Sequence, residues 1–324
     1  MLNESPELLR LADTLAAAGI GSRAQIRCGT AGVASPTRLA TEWAGFFVEE
    51  GARTWYAKVR YDDTAELVDV ERSAQASRCA AEAGASVALR FADAARGVLL
   101  FDALPEGRWR WARVDELSGP AQLERLWELK RRVHAGPVPG FERTLADDLA
   151  RVRALCRHDA VTLPADHAWL DTCVDLACDA LQRARSEADG VPLHGDGVAS
   201  NVMIGPDGAL LLVDFDYGGV GDPWHDVAVT LNELYQFEAQ WRDGIARWAG
   251  RCDEADYARC RLYALADDWY WTLWGLWLGA TSPRRLEFTK LAQWTLLRCR
   301  QSIHDARFEG WLRQLGEHTG GQPR

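Results

Sequence analysis

No apolar run in this sequence is long enough to cross a bilayer. The most apolar stretch, Trp269 to Ala280, covers about a dozen residues where a helical span needs ~20, so it reads as a core helix or a pocket wall. The first residues, Met1-Leu2-Asn3-Glu4-Ser5-Pro6, lack the basic segment and apolar run of a secretory leader. The eight cysteines, at 28, 79, 156, 173, 178, 252, 260 and 299, contain no Cys-x-x-Cys pair. That indicates neither a zinc site nor a disulfide framework, and reduced thiols in a cytoplasm are expected. Internal repeats and low-complexity tracts are absent as well. Nor is there an excess of positive charge, since 37 basic against 47 acidic residues give a net charge of -10 and a pI near 5.3. This balance argues against a general nucleic-acid-binding surface and leaves room for a cationic substrate.

What is present is an ordinary globular balance, 48% hydrophobic and 26% charged over 324 residues, enough for one large domain or two smaller ones. The fifteen tryptophans are many for this length and suit core packing.

Along the chain, short β-like runs alternate with turn residues from 24 to 60: Ala24 to Cys28, a loop holding Gly29, Gly32, Ser35 and Pro36, Arg38 to Phe47, and Trp55 to Arg60. A helix is expected over 66–83, stopped by Gly84, with further strands at Val87 to Phe91 and Gly97 to Phe101. Five strands and one helix would make a small first lobe, residues 1–104, built on an antiparallel sheet. After Leu104-Pro105-Glu106-Gly107 the pattern turns amphipathic and helical, over 121–132, 144–156 and 166–188. The second lobe, 105–324, is therefore expected to be larger and mainly helical, with one β-hairpin: Asn201 to Ile204, a Gly205-Pro206-Asp207-Gly208 turn, and Ala209 to Val213.

Chemistry concentrates around that hairpin. Phosphoryl transfer needs a carboxylate to orient the attacking hydroxyl and hard oxygen ligands for magnesium. Asp196 lies in the loop before the hairpin, and the turn at 205–208 folds Asn201 and Asp214 to the same end. One metal could then bridge the Asn201 amide oxygen and the Asp214 carboxylate. Asp214 follows Leu210-Leu211-Leu212-Val213, and a carboxylate ending a buried strand is costly unless it caps a turn or meets a cation. His194 reads as a metal ligand, a base, or a hydrogen-bonded brace of the loop, the last being favoured.

The combination His194-Gly195-Asp196, Asn201 and Val213-Asp214-Phe215-Asp216 resembles the catalytic and metal loops of the aminoglycoside phosphotransferase and choline kinase superfamily, whose fold is the bilobal α+β fold of protein kinases. The resemblance implies Asp196 as catalytic base or hydroxyl-positioning group, Asn201 and Asp214 as ligands of Mg2+, and Asp226 as a brace beneath the catalytic loop. Asp216 would add to the metal, phosphate or acceptor site. Trp55-Tyr56-Ala57-Lys58-Val59 resembles the strand carrying the lysine that holds the phosphates of ATP, with Glu71 as its expected carboxylate partner on the first-lobe helix. By position, Gly29 and Gly32 would flank the nucleotide phosphates. Phe101 and Ala103 would lie at the adenine hinge. Asp267-Asp268-Trp269-Tyr270-Trp271 and Trp274-Gly275-Leu276-Trp277 are similar to the C-terminal helices of choline and ethanolamine kinase-like proteins. Asp268, Trp271 and Trp274 are accordingly candidates for a cationic acceptor, through charge and cation–π attraction, although their three- and four-residue steps equally describe a core stripe.

These features point to a cytoplasmic, ATP- and magnesium-dependent kinase acting on a hydroxyl of a small amine-bearing molecule, a choline- or ethanolamine-like amino alcohol. An aminoglycoside or other natural-product kinase is the alternative within that class, and a nucleotide-binding pseudokinase or scaffold the alternative outside it. The short stretch from Asp214 to Asp226 leaves no room for the activation segment of a protein kinase.

Overall fold

The computed structural model describes residues 5–21, 24–35, 37–186 and 189–317. Pro36 and the last two residues of the 166–188 helical pattern lie outside them. The N-terminal part is a five-stranded antiparallel sheet in the order β1 (Gln25–Cys28), β4 (Trp43–Glu50), β5 (Arg53–Arg60), β7 (Val98–Asp102), β6 (Leu89–Asp93). The two-residue alternation of a pleated strand divides β5 cleanly. Trp55, Ala57 and Val59 point to one face, where Val98 and Leu100 of β7 and Leu11 and Leu15 of α1 (Pro6–Ala17) complete a small apolar cluster. Tyr56 and Lys58 point to the other face and line a cavity.

Helix α1 starts at Ser5, whose hydroxyl accepts from the Leu8 amide, with Pro6 in its first turn. The sheet thus carries a helix in addition to the one expected. That second helix, α2 (Val70–Glu82), begins later than the hydrophobic pattern suggested, because Asp69 caps it by accepting from the Glu71 and Arg72 amides.

The run Arg38 to Phe47 is not one strand. Residues Thr37–Leu39 form β3, paired with β2 (Val33–Ser35) in a separate hairpin, and the chain then turns at Ala40 (φ 48°) before β4 begins at Trp43. The loop between β1 and β4 is therefore folded, and it projects Arg38 away from the sheet.

The remainder is mostly helical: α3 (Val114–Leu117), α4 (Pro120–His134), α5 (Leu145–His158), α6 (His167–Ala184), α7 (Pro223–Leu234), α8 (Glu238–Ala249), α9 (Glu254–Thr281), α10 (Phe288–Ile303) and α11 (Phe308–Glu317). Helix α9 is its axis. It is buried on all sides from Tyr257 to Leu278 apart from single positions, Asp267 and Asp268 included, and α5, α6, α7, α10 and α11 surround it. The hairpin forms from β10 (Val202–Ile204) and β11 (Leu210–Leu212), with β8 (Arg110–Trp111) added to its edge. A second short pair, β9 (Val191–Leu193) with β12 (Gly219–Gly221), has no clear signal in the sequence. No helix among the described residues is long and apolar enough to cross a membrane.

Candidate active site

The site grows from the two short strand pairs. Strand β9 delivers His194-Gly195-Asp196, and its partner β12 leads into α7, capped by Asp222 and started by Pro223. Gly195 is obligatory there: its φ is 76°, and a Cβ would fall 1.9 Å from the Tyr217 carbonyl oxygen.

Asp226, fully buried in the first turn of α7, accepts the backbone N–H groups of His194 and Gly195, each at 3.0 Å. It also takes Lys130 Nζ at 3.1 Å and His134 Nε2 at 2.8 Å from α4. Burial alone would raise its proton affinity, but the Lys130 and His134 charges and these hydrogen bonds hold it well below the usual carboxylate range.

The ring of His194 sits between two carbonyls, with Nδ1 2.7 Å from Asp196 O and Nε2 2.9 Å from Val213 O. Burial pushes its basicity down. With both ring nitrogens within hydrogen-bond distance of backbone carbonyls, His194 joins the loop at 194–196 to the end of the hairpin, the bracing position favoured from the sequence.

Asp196 accepts Arg38 Nη2 at 2.8 Å and the Val198 amide at 3.1 Å on Oδ1, and Asn201 Nδ2 at 3.2 Å on Oδ2. Asn201 closes a 3-10 turn and its carbonyl receives the Val213 amide at 2.9 Å, which sets it beside Asp214 at the end of the hairpin. Asp214 has the left-handed backbone (φ 68°) that non-glycine residues rarely adopt, a strain characteristic of functional sites.

Lys58 Nζ donates to Asp214 Oδ1 at 2.6 Å and lies 3.6 Å from Asp216 Oδ2, and Asp216 also receives the indole N–H of Trp43. Burial opposes the charge on Lys58, but the two carboxylates outweigh it and raise its basicity. Lys58 holds Asp214 below the usual carboxylate range in spite of burial, whereas burial and the neighbouring Asp214 push Asp216 well above it.

Two cavities flank these residues. One, of about 350 Å³, lies beneath the sheet and is lined by Tyr56, Lys58, Phe101, Leu104, Met203, Asn201 and Asp214 among others. The other, of about 550 Å³, opens beside Asp196 between α7, α9 and α10, with Glu233, Asp267, Trp271, Trp294 and Arg298 in its wall. A narrow cleft lined by residues 38–42, Asp196, Asn201 and Asp214 lies between them.

The sequence model of the phosphotransferase enzyme family matches residues 37–263. The chain belongs to that family. No curated protein matches it by sequence. Among solved structures it is similar to a choline/ethanolamine kinase family protein from Mesorhizobium loti, at 20% identity, TM-score 0.74 and coverage of 95% of this chain and 97% of that one. It is also similar to an ethanolamine kinase from Plasmodium vivax (14% identity, TM-score 0.70, covering 90% and 85%) and to LicA in complex with AMP (12% identity, TM-score 0.71, covering 94% and 98%). The architecture of this phosphotransferase is thus the mixed α+β, kinase-like fold, with its antiparallel sheet and its mainly helical second part.

The structure brings Asp196, Asn201, Asp214, Lys58 and Asp216 together, with His194 and Asp226 packed behind the loop. Several other expected positions lie elsewhere in the phosphotransferase. Glu71 is exposed on the first turn of α2, and the ion pairs of Lys58 go to Asp214 and Asp216 instead. The reason is helical phase: α2 buries Ser73, Ala76, Ser77 and Ala80, so its inner face presents the small Ser77 to the cavity. Gly29 and Gly32 do not line the nucleotide-sized cavity; the Gly29 amide bonds to the Gly45 carbonyl at 2.8 Å, and Thr30, Leu39 and Ala40 approach the cavity in their place.

Phe101 does line it, but the Ala103 amide is committed to the Thr54 carbonyl at 3.2 Å, and Leu104 takes the cavity position. In the second cavity Trp271, itself buried, forms part of the wall, while Trp274 is fully buried and does not line it. Asp268 turns away to Arg298 Nε at 2.9 Å. Its neighbour Asp267 takes the wall position, accepting the Trp271 indole N–H at 3.2 Å. Asp216 sits under Lys58 and not in this cavity. Arg38, Glu233 and Asp267 were not singled out by the sequence reading; the adjacent acids at 267 and 268 were its only trace of them.

Proposed function

We propose that this phosphotransferase moves the γ-phosphoryl group of ATP to a hydroxyl of a small amine-bearing acceptor, an amino alcohol of the choline and ethanolamine kind. The observation that carries this reading is that Asp196 lines both the larger cavity and the narrow cleft whose other walls, Asn201 and Asp214, border the nucleotide-sized one. The larger cavity carries the carboxylates of Glu233 and Asp267 and the indole of Trp294 alongside Arg38, Arg261 and Arg298, and it is the carboxylate and indole side of this mixed lining that supports an ammonium group. Amino-alcohol kinases among the structural relatives agree with it.

ATP would lie in the first cavity, between a lobe of residues 1–104 and one of residues 105–324, with Phe101 and Leu104 against the base and Lys58 on the phosphates. A relative of the same fold holds AMP. Asn201 and Asp214 would hold magnesium. The narrow cleft beside them fits such an ion, because four carboxylates (Glu42, Asp196, Asp214, Asp216) face only two cations (Arg38, Lys58), and Glu42 Oε1 is buried without a hydrogen-bond partner. Among the described residues no group of three or more His, Cys, Asp and Glu side chains is placed to hold a metal. One carboxylate and one amide suit magnesium, which keeps waters and substrate oxygens as its other ligands. When bound, it would screen charge on the phosphate oxygens.

In the reaction, the acceptor oxygen forms a bond to the γ-phosphorus as the bond to the β–γ bridging oxygen breaks, ADP departs, and the hydroxyl proton passes to Asp196. Positioning and charge neutralisation contribute more than proton abstraction. A screen of ATP consumption over choline, ethanolamine, aminopropanol, amino sugars and aminoglycosides tests the reading. Turnover with a simple amino alcohol is expected, and no turnover with any amine-bearing compound would refute the acceptor class.

One observation favours a second reading. A cavity of about 550 Å³ falls in the ~300–1,000 Å³ range of sites for drug-sized ligands, so a larger amine-bearing natural product such as an aminoglycoside fits as well. In that case turnover appears only in the aminoglycoside arm of the screen.

A further inference from the structure

The hairpin of β2 and β3 sends Arg38 to a place that the reaction above leaves unexplained. The guanidinium is buried, donates to Asp196 Oδ1 at 2.8 Å, and lies 3.2 Å from the centroid of the Trp271 ring. Its backbone carbonyl accepts the hydroxyl of Ser200 in the catalytic loop. Its chain neighbours face both substrates' spaces: Thr37 lines the larger cavity, and Leu39 and Ala40 line the nucleotide-sized one. Arg38 itself borders the cleft that contains Asp196, Asn201 and Asp214. Burial works against its charge, but Asp196 and Glu42 keep the guanidinium protonated.

The site is therefore neutralised from within by two exchangeable pairs, Lys58 with Asp214 and Asp216, and Arg38 with Asp196. A buried charge stripped of its partner is strongly destabilising, so neither cation leaves its carboxylate unless another anion takes over. A triphosphate supplies that anion, and the planar guanidinium matches phosphate oxygens better than any other side chain. While Arg38 holds it, Oδ1 of Asp196 carries two donors, Arg38 and the Val198 amide, and only Oδ2, which accepts from Asn201, keeps a lone pair for a hydroxyl.

Resting on the reading of Asp196 and Lys58 given above, we propose that Arg38 binds the γ-phosphate. Without nucleotide it latches Asp196. When ATP enters, it exchanges that carboxylate for a terminal phosphate oxygen and frees Oδ1 of Asp196 for the acceptor. Nucleotide and acceptor binding are thereby ordered, and the folded loop between β1 and β4 is the element that couples them.

The test does not require the acceptor to be known. Intrinsic tryptophan fluorescence is titrated with magnesium and ADP, and with magnesium and the non-hydrolysable analogue AMP-PNP, for the wild type, Arg38→Ala and Arg38→Lys. The wild type is expected to prefer AMP-PNP by roughly ten- to a hundredfold, the worth of one charge-assisted hydrogen bond. Arg38→Ala should keep the wild-type affinity for ADP and lose the preference, and Arg38→Lys should keep part of it. A preference that survives in Arg38→Ala overturns the proposal. So does its absence from the wild type, and so does an equal loss of both nucleotides in Arg38→Ala, which would mark a structural strap. Failure of the acceptor screen alone would strike the amine-acceptor reading and leave Arg38 as proposed.

Discussion

Asp267 and Asp268 are adjacent, yet successive positions on a helix point about 100° apart, and that rotation gives the two carboxylates different tasks. Asp268 is neutralised by Arg298 of α10, whereas Asp267 faces the larger cavity with the Trp271 indole, and with His225 Nε2 4.0 Å away. Burial and the neighbouring Asp268 push its proton affinity well above the usual carboxylate range. A cation binds the ionised form, so the acceptor KM is expected to fall as pH rises through that raised value. Asp267→Asn should raise KM by roughly ten- to a hundredfold, the worth of one charged contact, and flatten the profile while leaving kcat within a fewfold. An unchanged KM for a cationic acceptor would remove Asp267 from its site.

Asp196→Asn is expected to lower turnover by at least ~10²-fold, the usual share of a positioned base, while ADP still binds in a fluorescence titration. Full activity in that variant would favour the pseudokinase reading. Asp214→Ala should abolish magnesium-dependent turnover, and near-wild-type rates across a magnesium titration would refute its role.

The residue types around Asp196 were legible because they are close in sequence and their spacing matches a chemical need. The cation partners were not. Lys58 meets an acid 156 positions away, and Arg38 meets Asp196 across 158. Sequence offered the nearer Glu71 for the first and an ordinary strand residue for the second, since neither pairing leaves a local pattern.

Among the elements, the clearest pattern was the amphipathic helix and the least clear the short strand. The helix expected over 144–156 spans Leu145–His158, because buried Leu149, Val152 and Cys156 repeat at helical steps. The three-residue strands β9 and β12 carry no period that could be read, and they are held by what surrounds them.

That support is testable through Asp226, which ties the loop after β9 to α4 and α7. Asp226→Asn leaves Lys130 buried without its counter-charge and is expected to cost about 3–5 kcal/mol of stability near neutral pH. Because the folded carboxylate is held well below the usual range, its contribution is whole above the unfolded value of ~3.9 and is lost as pH falls from there toward the depressed one. Urea denaturation should therefore show a gap between variant and wild type that narrows in acid. A gap of constant size at pH 7 and pH 3 would contradict this account.

Over the whole molecule, the connection between α9 and α10 reaches back to the N-terminal part. Arg284 donates from Nε to Asp63 at 2.8 Å and from Nη1 to the Thr41 carbonyl at 2.7 Å, and it lies over the Tyr61 ring at 4.0 Å. The clamp holds the loop that bears Arg38. Arg284→Ala should speed amide hydrogen exchange in residues 33–42 without altering exchange in β5 or α9; no change in that loop would show that Arg284 is dispensable to it.

Helix α9 is both the axis of the second part and a wall of the larger cavity, so one sealed element serves two masters. A change at Trp274 or Trp269, both fully buried, disturbs the whole helical assembly before it alters any ligand. The opposite wall is under no such constraint. Trp294 and Leu297 on α10 and Phe237 before α8 are 39%, 48% and 70% exposed and can be exchanged without unsettling a core. On the reading proposed above, a change of acceptor would therefore be channelled to one bank of the cleft. There the chemistry of recognition can be rewritten while the machinery around Asp196 stays in place.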